Sequence, residues 1–145
     1  MKEVIPKDTR YIPFTQQQFC CVPTSISMVM YKLGIPLVSQ ELLGYHLGLI
    51  VDKKDKTLFW NVKTGKKPGS GFGTRNGRKE YDTNLAFRKL KIPLKMNIHF
   101  IHSFKNKKEL VTFISRKIKE DKNLISLLRS GILNNNDKTN GHACV

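Results

Sequence analysis

Apolar positions recur along this chain at two spacings, and the change from one to the other predicts its elements. Ile26, Val29, Met30 and Leu33 stand at i, i+3, i+4 and i+7, the stripe of a buried helix over about Thr24 to Leu33. Pro23 suits its first turn, where a missing N–H costs nothing, and Gly34 supplies its stop. Ser39 is a good N-cap for a second helix, with Glu41 in its first turn and Leu43, Leu47 and Ile50 as its stripe. Gly44 and Gly48 lie four apart on it and would permit close packing. Asp82 caps a third helix through Leu90, with Leu85, Leu90 and Phe87 turned inward and Pro93 ending it. Leu94, Met96, Ile98 and Phe100 alternate with Lys95, Asn97 and His99, which is strand periodicity. A fourth helix, amphipathic, is predicted over Lys105 to Lys122, with Leu110, Phe113, Ile114 and Ile118 on one side. Asn123 to Leu128 reads as a strand, Arg129 to Asn140 as a turn or loop, and Gly141 to Val145 as the start of another strand.

Two stretches lack such a pattern. Residues 1 to 15 read as an extended lead-in, anchored by Tyr11, Ile12 and Phe14 and barred from helix by Pro6 and Pro13. From Asp52 to Tyr81, lysines, glycines and Pro68 surround a short apolar piece that contains Trp60. GKKPGSGFGTRNG lacks the Gly-Lys-Ser/Thr ending of a phosphate loop, and its glycines miss the dinucleotide spacing. A mobile, basic, glycine-rich loop is the expectation. Trp60, Phe59 and Phe72 are its candidates for lining a substrate cleft, against a solvated connection with Trp60 tucked into the core.

With 145 residues and 39% hydrophobic content the chain is expected to form a single globular domain, 1–145. No apolar run approaches the length of a bilayer span. The N-terminus, MKEVIPKDTRYIPF, shows no apolar h-region, so a cytoplasmic protein, one exported without a Sec signal, or one whose leader has been removed is expected. Three cysteines, two of them adjacent, do not make a disulfide framework and read as free thiols. The formal charge of +15 suits acidic partners, or else a lysine-rich surface with the charge spread along the chain.

The candidate chemistry begins where Cys20 and Cys21 precede the first helix. A thiol at a helix N-terminus meets unpaired N–H groups and the positive end of the dipole, which favour the reactive thiolate. Gln16, a gap of four, then Cys21-Val22-Pro23-Thr24-Ser25 resembles the nucleophile segment of papain-like cysteine peptidases, and most closely the bacterial C39-like group. Val-Ser-Gln-Glu-Leu-Leu after the first helix resembles that group too, as does Gly141-His142-Ala143, similar to the segment that carries its catalytic histidine. The likeness covers residues 10 to 50 well and 105 to 145 loosely. It implies an α+β papain-like fold, a helical part followed by an antiparallel sheet. It further implies Cys21 as nucleophile, His142 as base and Gln16 in the oxyanion hole, acting on a peptide or isopeptide bond of a peptide or protein substrate. No cofactor is expected. Val22 stands where the group has glycine, adding bulk beside the thiol. The group also places an Asp or Asn on the strand after the histidine's; the sequence stops three residues past His142, so a domain lacking its last strands is expected.

The competing readings are plain ones. Cys20 and Cys144 are read as packing residues, His46 as a packing or surface residue, and His99 and His102 as surface residues. Cys20, Cys21, His142 and Cys144 would make a poor zinc set, because adjacent cysteines seldom chelate one tetrahedral ion. Deamidation or transglutamination on the same fold is the second functional reading. A non-catalytic basic module for an acidic protein or nucleic acid ranks last, since no nucleic-acid motif occurs and few aromatics interleave with the basic residues.

Overall fold

The computed structural model describes residues 10–54, 69–129 and 141–145. Trp60 and Phe59, the asparagine-rich stretch and residues 55–68 of the basic loop lie outside the described residues. Within them the chain is α+β. Helices α1 (Cys21–Lys32), α2 (Gln40–His46), α3 (Thr83–Leu90) and α4 (Lys107–Lys119) alternate with two small sheets. The first sheet pairs β1 (Ile50–Val51) with β2 (Gly69–Ser70) in parallel. The second pairs β3 (Ser126–Arg129) with β4 (Gly141–Cys144) antiparallel, with Leu127 opposite Ala143 and Leu128 opposite His142.

All four helices stop in the same way. The backbone turns left-handed just past the end, at Gly34, Gly48, Lys91 and Asp121. The N–H groups of that residue and the next reach back to carbonyls in the last turn, as in Gly34 to Tyr31 at 3.0 Å and Ile35 to Met30 at 2.9 Å. Gly34 is therefore the stop its position predicts. Gly48 ends α2, so the expected stripe stops at Leu47, which caps the helix and is buried with Leu43, while Ile50 starts β1. A Cβ on Gly48 would stand 2.6 Å from the Tyr81 ring, so the close packing foreseen there is real, although it occurs at a turn. Arg75 secures that turn, its Nε donating to the Gly48 carbonyl and its guanidinium lying over the Tyr81 ring.

Helix starts are equally local. Ser39 and Asp82 accept from Leu42 and Leu85 N–H at 3.2 and 2.9 Å, and Asn106 accepts from Glu109 at 3.0 Å. The main core then forms where α1, α2 and α3 meet β4: Val22, Ile26, Met30, Leu43, Leu47, Phe87 and Ala143 are buried together.

Three expectations need correction. The alternating run Leu94–Phe100 forms no strand among the described residues. Its fixed point is a side chain, Asn84, whose amide bonds both the N–H and the carbonyl of Met96 at 2.7 and 2.9 Å. Ile98 and Phe100 consequently lie exposed. In α3 the buried residues are Thr83, Ala86 and Phe87, with Leu85 and Leu90 only half-buried. Leu33 is also exposed, because it caps α1 instead of continuing the stripe.

Candidate active site

The site candidates divide between the two ends of the described chain. Gln17, Gln18 and Phe19 turn the lead-in toward α1, with Phe19 left-handed at φ 65° and the Cys20 N–H donating to the Gln17 carbonyl at 2.9 Å. That conformation costs a residue with a Cβ about 1–2 kcal/mol, so packing must hold it. Phe19 and Cys20 supply the packing: both are buried in a second cluster with Leu49 and Val51.

This turn sends the two cysteines to different environments. Cys20 has no exposed surface, and burial pushes its thiol from the usual 9.0 to about 12, with the Glu41 carboxylate and the Cys21 thiol adding to the shift. It stays a thiol at neutral pH. Cys21 is half-buried and is the first residue of α1, so the helix begins three residues earlier than its periodicity suggests. α1 alone among the four helices starts with no side-chain cap; like α3, it has no acidic residue in its first turn. The Cys20 side chain therefore accepts from none of the N–H groups of the first turn, which Cys21 opens. Val22, which stands where the resembled group has glycine, is buried in the main core, against which Cys21 packs.

His142 is the second residue of β4, and β4 packs directly on α1. Ala143 is the residue that enters the core, where Cys21 also packs. His142 and Cys144 alternate with it along the strand; His142 is exposed, and Cys144 Sγ donates to the Ser126 carbonyl at 3.8 Å. The helix that begins with Cys21 and the strand that carries His142 are thus brought into contact, with no hydrogen bond between the two side chains among the described residues. Gln16 is exposed on the lead-in, five positions before Cys21. Phe72 is exposed as well, its ring edge-on to Phe19 at 4.7 Å and so placed beside the turn that leads into Cys21. Trp60 falls outside the described residues.

Other titratable groups are accounted for by packing. His46 is buried on α2 with its ring against Tyr45. His99 and His102 are exposed, resting on Phe113 and Phe100. No three His, Cys, Asp or Glu side chains gather at ligating distance among the described residues, so the four-residue zinc set is not assembled. No helix among them is long and apolar enough to cross a membrane. An open cleft of about 290 Å³ lies between Phe14, Ser27, Leu37 and Glu41, on a surface that Cys21 does not line.

Sequence reasoning missed the residue that ties this region together. Gln40, at the start of α2, accepts from the Gln17 N–H at 2.9 Å and from the Thr24 hydroxyl at 2.8 Å, and donates to the Thr15 carbonyl at 2.9 Å. Glu41 accepts from the Gln17 side-chain amide. Burial alone would raise the Glu41 carboxyl; hydrogen bonds from Gln17, its own backbone and Ser39 outweigh it and hold the group below the usual carboxylate range. The Val-Ser-Gln-Glu-Leu-Leu likeness includes Gln40 but assigns it no role, because its partners lie 16 to 25 positions away.

Comparison of the chain with models of protein families, with curated proteins and with solved structures finds no match.

Proposed function

We propose that this protein is a thiol hydrolase of papain-like, C39-like type, which cleaves a peptide or isopeptide bond through Cys21 and His142. The observation that carries this reading is the placement of Cys21 as the first residue of an uncapped helix against which the His142 strand packs. The likeness of Gln16, Cys21-Val22-Pro23 and Gly141-His142-Ala143 to that family's motifs supports it further.

In this mechanism His142 takes the Cys21 thiol proton, and the sulfur attacks the scissile carbonyl carbon. The oxyanion that forms is held by the Cys21 backbone N–H and the Gln16 side-chain amide. Collapse breaks the C–N bond as the imidazolium of His142 gives its proton to the leaving amine. Water, deprotonated by His142, then resolves the thioester to a carboxylic acid and a free thiol. The Phe72 ring offers an apolar surface on the approach to the sulfur.

The two cysteines make the reading testable within one molecule. A peptide-based thiol-reactive electrophile should modify Cys21 and leave Cys20 untouched at neutral pH. Exchange of Cys21 for Ala should remove turnover of a fluorogenic peptide library by on the order of 10⁴-fold or more. Turnover that persists in Cys21→Ala defeats the assignment.

A further inference from the structure

We propose that Gln40 is the positioning residue that aims Gln16 at the carbonyl oxygen attacked by Cys21, an inference that rests on the thiol-hydrolase reading. An oxyanion donor works only if it is held where the charge will develop. Gln16 is exposed and sits on an irregular lead-in, so its own surroundings do not fix it. Its two neighbours are fixed. One carboxamide, that of Gln40, takes the carbonyl of Thr15 on one side and the N–H of Gln17 on the other. The peptide groups flanking Gln16 are therefore both held by the same side chain.

That side chain is also registered against the nucleophile. The Thr24 hydroxyl, buried within α1 one turn after Cys21, shares its proton between the Cys20 carbonyl at 2.7 Å and Gln40 Oε1 at 2.8 Å. Three elements meet at one amide: the lead-in with Gln16, the helix that begins with Cys21, and the start of α2. The Gln17 side chain, bonded to Glu41, adds a second tie to the same helix end. Gln40 reaches the proposed oxyanion only through Gln16, so it positions and does not react.

The test separates aim from fold and from reactivity. A tripeptide aldehyde adds to the Cys21 thiol as a hemithioacetal: the C–S bond forms, the thiol proton ends on the former carbonyl oxygen, and that oxygen occupies the oxyanion position. Iodoacetamide alkylates the same sulfur without needing that position. Gln40→Ala should weaken aldehyde binding by about 10-fold or more, as Gln16→Ala does, while the iodoacetamide rate at Cys21 stays within about twofold. The double variant should lose no more than Gln16→Ala alone, because both act through one donor. Thr24→Val, which removes only the hydroxyl tether, should show a smaller loss in the same direction and guards against a Gln40→Ala chain that fails to fold.

Unchanged aldehyde affinity in Gln40→Ala, or losses that multiply in the double variant, would overturn the positioning role while leaving the hydrolase reading intact. No hemithioacetal on Cys21 in the parent chain would bring down the hydrolase reading, and this inference with it.

Discussion

Helices α1 and α4 are nearly equal in length, twelve and thirteen residues, and both carry an apolar stripe, yet α1 buries nine residues and α4 none. α1 lies between α2 and β4, so even Thr24, Ser25 and Ser27 on its flanks are covered. α4 is held mainly at its ends and edges. Asn106 caps its start, and Phe113 meets Phe104 at 5.2 Å. Past its end, Asp121 pairs with the buried Lys32 of α1 at 3.7 Å, and Asn123 accepts from the Tyr11 hydroxyl. Periodicity establishes that a face is apolar; what covers it depends on the partner the fold supplies. The candidate nucleophile stands on the helix with nine buried residues, where a side chain can be held in one place.

Truncations should expose that contrast most strongly. Met30→Ala, in α1 with no exposed surface, should cost about 2–5 kcal/mol by urea titration, whereas Ile114→Ala, at 37% exposure on α4, should cost under about 1 kcal/mol. Equal losses would mean that α4 is buried in solution as thoroughly as α1.

The buried sulfur beside the mouth of α1 sharpens the comparison through pH. A thiol whose folded pKa is about 12 keeps its proton after the unfolded chain, near 9.0, has lost it. The contribution of Cys20 is thus intact below pH 9 and drains away between 9 and 12, by up to about 4 kcal/mol. Cys20→Ala starts less stable and loses none of this, so its deficit against the parent chain should narrow across that window. A constant gap would mean that Cys20 is not buried as a thiol.

A cap should be worth less than either. Asn106→Ala should lower stability by about 1 kcal/mol. The loss should appear as faster amide hydrogen exchange in the first turn of α4, with α1 unchanged.

How much of this was written locally follows from the range of each interaction. Ser39, Asp82 and Gly34 act on groups three to five positions away, and their roles could be read directly from the chain. So could the free thiols and the α+β class. Other features depend on distant partners. The alternation of Leu94 to Phe100 gave no hint that Asn84, and no strand among the described residues, would hold it. Phe19's left-handed turn, which leads into Cys20, depends on Leu49, Val51 and Phe72. Gln40 looked like an ordinary polar residue at a helix start, because nothing nearby in the chain discloses its bonds to Thr15 and Thr24. Even the three motifs that resemble the peptidase family identify residue types without setting the distance between Cys21 and His142.

Cooperation between those two residues is the central claim, and acylation of Cys21 tests it most directly. The rate at which a p-nitrophenyl ester of a short peptide acylates the chain can be followed at neutral pH and mapped by mass spectrometry. The account predicts one acyl group on Cys21 in the parent chain and a rate about 10²-fold or more slower in His142→Ala, at unchanged thermal stability. Acylation of His142→Ala at the parent rate would contradict it.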